Sequence, residues 1–406
     1  MSQNKKILIY GFVFTFFSSF GQSFFLGLFN PSLREELQIS HGQFGSIYAT
    51  ATIFSSLLLI WFGKKIDDFN LIKYSFLVVI LLSISCLLFS FISNIFFLIV
   101  GIFLMRFSGQ GLMSHTSTTA ISRYFNLRRG KALSAIWFGL SSAEFILPVF
   151  VIFLLTIFSW QLVWQLISLI SIIFLPIILL FTIKNISIHS REKSYASNEN
   201  KFFENIKQWK RNEVLKDPKF YIISLNMLAM PWIITGVFVY QSFIAEAKFW
   251  DEYTIPKSFM IYSITSIFTL ILSGFLVDKF TSRRLMPLMN IPLLIGLIIL
   301  LNFDNPIYSF FFFGLVGVSN GLANVLGSST WAEVYGVRFI GGIKALTTAL
   351  MVFSTAFGTA FFGFLIDNSF SIERISLICI IYISLSLSLL LIIRKKVEPI
   401  HLIKKA

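Results

Sequence analysis

Runs of some twenty mainly apolar residues recur along this chain, separated by short polar segments. The first six lie at about 8–29, 42–62, 73–93, 96–121, 131–155 and 161–183, and six more at about 219–243, 257–277, 284–302, 307–332, 341–365 and 372–393. A helix rising 1.5 Å per residue needs about 20 residues to cross a hydrocarbon core of about 30 Å, so each run predicts one membrane-spanning helix. The longest interruption, from Lys184 to Pro218, is polar and charged and divides the spans into six and six. The expected organisation is an N-terminal six-helix bundle over 1–183, a cytoplasmic linker loop over 184–218, and a C-terminal six-helix bundle with a short cytoplasmic tail over 219–406. The first run follows Lys5 and Lys6 as the core of a signal peptide would. At about 22 residues it is too long for one and lacks a small-residue cleavage site, so it is assigned as span 1.

Composition narrows the class. Of 406 residues, 56% are hydrophobic and only 13% charged, and the mean hydropathy is +0.81. A soluble domain carries about a quarter charged residues. A soluble enzyme, a disordered protein and a disulfide scaffold are therefore excluded, and a polytopic membrane protein remains. Cys86 and Cys379 both lie inside apolar runs, which favours neither a disulfide nor a metal site. The 49 phenylalanines are taken as compositional bias, so no single one is a clue.

The net charge of +14 is explained by where it falls. With the N-terminus inside, 28 of the 33 Lys and Arg residues lie on the cytoplasmic side and four outside (Arg34, Lys248, Lys257 and Arg374), with Arg106 in neither group. That asymmetry is the positive-inside pattern. It puts both termini and the central loop in the cytoplasm, suits the cell's inner (plasma) membrane, and leaves no need for nucleic acid.

The halves also repeat. Gly63-Lys-Lys-Ile-Asp67 at the end of span 2 echoes Gly274-Phe-Leu-Val-Asp278 at the end of span 8, an offset of 211. Ser108-Gly-Gln-Gly111-Leu echoes Val318-Ser-Asn-Gly321-Leu at an offset of 210, and the stretches around Lys131 and Lys344 match at 213. Two parallel six-helix repeats around a central cavity are one recurring design of secondary transporters. On these residues the chain resembles the major facilitator superfamily over essentially its full length. The segment Gly274 to Arg284 fits that family's loop signature G-x-x-x-D-[RK]-x-G-[RK]-[RK], apart from Thr281–Ser282 near the second glycine; the N-terminal copy is degenerate, with Asp68 in place of the basic residue. Phe20 to Gly27, Leu37 to Gly45 and Arg123 to Ala132 are similar to the monocarboxylate and oxalate:formate porter group. Helix 8 lacks the buried charged residue those porters use on their substrate, so an identical substrate is not implied. The resemblance implies an all-α membrane protein with twelve transmembrane helices in the major facilitator fold.

Ionisable residues deep in a bilayer cost about 2.5 kcal/mol or more, which makes each a functional candidate. Arg106 lies about ten residues into span 4 from the outer face and Glu144 about thirteen into span 5 from the inner face, so both are near the midplane. One reading has Arg106 attract an anionic substrate, with Glu144 as counter-ion or proton carrier and the two side chains meeting at one depth. The other has a fixed Arg–Glu pair locking two helices. His115, nine residues beyond Arg106, is expected on the opposite helix face at 100° per residue, as a hydrogen-bonded packing residue. Gln22, Trp232, Asn320 and Asn324 are the further substrate-binding candidates, against the alternative that the amides only join helices. Gly314, Gly317 and Gly321 are expected to be close-packing positions, and Glu333 and Lys344 part of a cytoplasmic charge network. Asp67 with Arg128 and Arg129, and Asp278 with Arg283 and Arg284, are candidate inner gates; the alternative is topology and lipid contact alone.

No phosphate-binding glycine loop or metalloprotease, hydrolase or Cys/His cluster motif occurs, so neither an enzyme nor a cofactor is expected. The function these observations predict is secondary active transport of a small organic anion, a mono- or dicarboxylate, by alternating access with proton coupling or exchange. The expected partners are that substrate and membrane lipid, with a functional monomer. Efflux of a hydrophobic or drug-like solute, or a transporter-like sensor that moves nothing, are the alternatives.

Overall fold

The computed structural model describes residues 2–67, 69–125, 129–184, 208–336 and 339–397. Eleven helices there are long and apolar enough to cross a membrane, and a bent pair brings the count to twelve if taken as one span. That pair, α1, comprises Gln3–Gly21 and Ser23–Leu37, meeting at 44°. The others are α2 His41–Gly63, α3 Leu71–Phe89, α4 Ile95–Ile121, α5 Ala132–Leu155, α6 Trp160–Thr182, α7 Pro218–Val239, α8 Thr254–Val277, α9 Ser282–Asn302, α10 Ile307–Tyr335, α11 Leu346–Asp367 and α12 Ile372–Arg394.

Helical ends carry the chemistry that starts them. Ser40 and Gln43 form a reciprocal capping box at α2, while Asn70, Asn94 and Ser159 each accept a hydrogen bond from an early backbone N–H of α3, α4 and α6. These bonds satisfy donors that have no partner within the helix. Large apolar side chains such as Trp61, Phe268, Phe275 and Ile392 point outward, as a helix surface facing lipid requires.

The described residues form two compact units. The first is Met1–Lys193 together with Val237–Phe243 and Thr359–Asn368; the second is Ser194–Gly236, Ile244–Gly358 and Ser369–Ala406. In the first, α1 packs on α5, α2 on α4 and α3 on α6; in the second, α8 packs on α10, α9 on α12 and α9 on α10. The α8–α10 contact depends on small residues: a Cβ at Gly317 would lie 2.1 Å from Thr265 Oγ1, and one at Gly321 2.7 Å from the Leu270 nitrogen. Buried hydroxyls join helices across each unit, among them Ser168 donating to the Ser83 carbonyl at 2.7 Å and Ser258 with Ser309 at 2.8 Å.

Candidate functional site

The feature that sets up the candidate site is an irregularity in α4. Residues Arg106–Met113 are wound as a π-helix, a wider turn that in proteins often marks a functional position. Facing it, α1 breaks at Gln22, which is extended at φ −83° and ψ 153°. The two irregular stretches fit together through glycine. A Cβ on Gly21 would lie 2.2 Å from the Met105 carbonyl oxygen, and one on Gly109 2.7 Å from the Gly21 nitrogen. No other residue type allows that approach.

Arg106 stands at the start of the π segment and is 4% exposed. Its Nη1 donates to the Gly21 carbonyl at 3.2 Å, and its guanidinium carbon lies 5.3 Å from the centre of the Tyr48 ring. The Nε has no hydrogen-bond partner among the described residues. No carboxylate there forms an ion pair with Arg106. Among the described residues the charge is thus held by a carbonyl dipole and an aromatic face, with no carboxylate to neutralise it.

Glu144 is also buried. Among the described residues no ion pair joins it to Arg106, and α1 packs on the helices that carry both. On one side α1 presses on α4 through Gly21 and Gly109; on another it presses on α5, where a Cβ at Gly139 would lie 2.1 Å from the Phe12 carbonyl oxygen.

His115 corrects one expectation. Its Nε2 lies 3.0 Å from the Gly63 carbonyl oxygen of α2, the same helix that supplies Tyr48 to Arg106. Counting 100° per residue puts the two side chains on opposite faces, but the π turn holds more residues per revolution and brings both toward α2. Its expected role as a hydrogen-bonded packing residue agrees with this bond.

The remaining candidates are dispersed. Gln22 is half-buried at the α1 break. Trp232, in the second unit, is buried with its ring 5.7 Å from Phe357 and 5.3 Å from Tyr382, edge to face. Asn320 donates to Ser266 Oγ at 2.9 Å, joining α10 to α8, and Asn324 is exposed.

Among the candidate gating residues, Arg128 lies outside the described residues, as do the side chains of Asp67, Asp278 and Arg129. Arg283 is buried and pairs with Glu333 at 3.4 Å; the same carboxylate accepts from the backbone nitrogens of Ser282 and Arg283 at 2.9 and 3.2 Å. Arg284 is half-buried and Lys344 exposed.

A polar clasp occurs at the other end of the helices. Within the first unit, Asp367 accepts from Ser40 Oγ at 2.5 Å and from the Gly42 nitrogen at 2.9 Å, capping α2. The Tyr240 hydroxyl sits 2.9 Å from the carbonyl oxygens of both His41 and Thr359, and Asn30 donates to the Val239 carbonyl at 2.7 Å. None of these residues was expected from sequence, because their partners are far apart in the chain.

The profile of the Major Facilitator Superfamily matches residues 11–254, which is more than half of the chain. The chain belongs to the Major Facilitator Superfamily. Solved structures agree in fold across almost all of this facilitator. A bacterial homologue of the human lysosomal transporter Spinster, inward-facing and unoccupied, is 14% identical with a TM-score of 0.74, covering 97% of each chain. The nucleoside transporter NupG is 12% identical with a TM-score of 0.67, covering 98% of this chain and 99% of its own. No curated protein matches the facilitator in sequence. These relations carry the superfamily, its helical membrane fold and its non-enzymatic, transporting character; they do not single out the monocarboxylate and oxalate:formate group.

Proposed function

We propose that this facilitator transports a small organic anion, a mono- or dicarboxylate, by alternating access coupled to protons or to exchange. The observation that carries the reading is Arg106: a buried guanidinium with no carboxylate partner among the described residues and an Nε left without an acceptor. Burying an unpaired charge is costly, and an anion that visits the site removes the cost. A permanent Arg–Glu lock, the competing explanation, lacks its ion pair.

Glu144 serves in this reading as a separate proton carrier rather than as the counter-ion of Arg106, since a lone buried carboxyl is costly to keep charged. Gln22, at the break beside Gly21, is the neighbouring polar group that can follow the substrate. Trp232 offers an aromatic wall, and Asn324 an amide. Asn320 is the weakest of the set because its amide already joins two helices. Asp67, Asp278, Arg128, Arg129, Arg283 and Arg284 are assigned to gating at the basic end. The 28-to-four distribution of Lys and Arg supports cytoplasmic termini in an inner (plasma) membrane. The protein works as a monomer with lipid around it.

Uptake of labelled lactate and succinate into proteoliposomes, with and without an inward proton gradient, tests the reading. Saturable uptake of either is expected, with Glu144→Gln losing its dependence on the gradient. Wild-type vesicles that take up neither anion would refute it.

A further inference from the structure

Two hydroxyls on α2, one of them on the ring that faces Arg106, are conspicuous for what they do not contact. Tyr48 is 1% exposed and Thr52 3% exposed, and neither side-chain oxygen has a hydrogen-bond partner among the described residues. They are four residues apart on α2 and so share one face of that helix. That face is the one the Tyr48 ring turns to Arg106 at 5.3 Å.

Their neighbours behave differently. On the same helix, Thr50, Ser55 and Ser56 each donate to a backbone carbonyl three or four residues back, at 2.8 Å. Elsewhere in the unit, Tyr10 bonds Ser75 at 2.8 Å and Tyr74 donates to the Phe62 carbonyl at 2.9 Å. A buried hydroxyl with no partner costs about 1–3 kcal/mol. Here two occur one turn apart on α2, the first on the ring that faces a guanidinium whose Nε is also unmet.

We propose that Tyr48 and Thr52 complete an oxyanion site with Arg106, donating hydrogen bonds to the carboxylate of the transported anion while the guanidinium supplies the charge. The inference rests on the anion reading above and adds the helix and the residues that grip the substrate. Arginine is a donor only, and each hydroxyl has a proton to give. Such a set matches a carboxylate oxygen pair and mismatches a neutral solute that presents donors of its own. The same donors suit a phosphate oxygen, which the experiment separates by using both anions.

The full-length protein is purified with Tyr48→Phe, Thr52→Val or Arg106→Gln. Melting is recorded in detergent with no anion, with sodium lactate or succinate, and with inorganic phosphate, and uptake is measured in proteoliposomes. Each hydroxyl variant is expected to melt at or above wild type without anion, because it deletes an unmet group. Each is also expected to raise the KM for the carboxylate about tenfold, as loss of a hydrogen bond to a charged group does.

Unchanged KM in both hydroxyl variants, while Arg106→Gln abolishes uptake, would overturn the role of α2 and leave the anion reading standing. Variants that melt well below wild type with KM intact would make the hydroxyls structural and likewise overturn only the role of α2. A wild type that responds to phosphate and to no carboxylate would overturn the ligand class. One that responds to no anion would overturn both readings.

Discussion

Arg106 and Lys248 are both almost fully buried cations, at 4% and 2% exposure, and they are held in opposite ways. Lys248, in the second unit, sits 2.6 Å from Asp304 and 2.9 Å from Glu373, and Trp250 donates beside it to the Asp304 carbonyl. Its charge is more than matched by two carboxylates, which fasten the segment after α7 to the start of α12 and the turn before α10. Among the described residues, Arg106 has a carbonyl, a ring and no carboxylate. Burial alone therefore does not single out Arg106 as the proposed site. What separates the two is whether the fold itself completes the electrostatics, as it does for Lys248 and does not for Arg106.

The contrast is sharpest at Arg106 itself. Arg106→Gln is expected to lower kcat/KM for carboxylate uptake about 100-fold, or about 2.7 kcal/mol of contact to the anion, with little change in melting temperature. Unchanged uptake would class Arg106 with Lys248 as a structural cation. Gly21→Ala should come next. Its methyl meets backbone atoms at 2.2 and 2.5 Å, and forcing α1 away from α4 should cost about 1–3 kcal/mol in thermal unfolding while displacing the acceptor of Arg106. A melting curve matching wild type would show that the two helices part freely.

Lys248→Met keeps the apolar stem and removes the ammonium. Because Asp304 is 74% exposed, water replaces much of what is lost, and the expected destabilisation is about 1–2 kcal/mol with uptake unchanged. Lost uptake at wild-type stability would erase the distinction between the two cations. The smallest effect belongs to Asp251, outside the spans, whose carboxyl is held below its ordinary value of 3.8 chiefly by the Thr254 hydroxyl, helped by the Tyr253 N–H and Lys257. A lowered folded value means the stabilisation is present above the unfolded value and is lost as pH falls through the folded one. Between about pH 5 and pH 3 the wild type should therefore lose slightly more stability than Asp251→Asn, by less than about 0.5 kcal/mol in so exposed a position. Parallel melting curves for the two over that range would show that the Asp251 carboxylate adds nothing to stability.

Which of these features the chain discloses before folding depends on how local their causes are. The spans are visible because twenty apolar residues in a row are a property of each segment by itself, and Arg106 is visible because a charge within such a run is locally anomalous. The same holds for Gly21 and Gln22, which weaken the helix where it breaks. Tyr48 and Thr52 are ordinary members of an apolar stretch until tertiary packing denies them partners. Lys248 looks like a loop residue because its carboxylates come from distant segments. Arg106 and Glu144 stand in spans adjacent in sequence, and adjacency alone does not bring two side chains into an ion pair, which the described residues do not show for them. The face expected for His115 failed because apolar content carries no sign of a π turn.

That wide turn has a consequence for how this protein tolerates change. Below it, α4 hands over Ser117, which donates to the Gly11 carbonyl at 2.9 Å, and His115, which reaches Gly63. The turn takes up about one residue beyond what regular winding needs, so removing a single residue from 106–113 would restore regular winding with Ser117 and His115 still near their present phase. A one-residue deletion there is thus absorbed where the winding is wide, whereas the same loss in a regularly wound helix turns everything beyond it by about 100°.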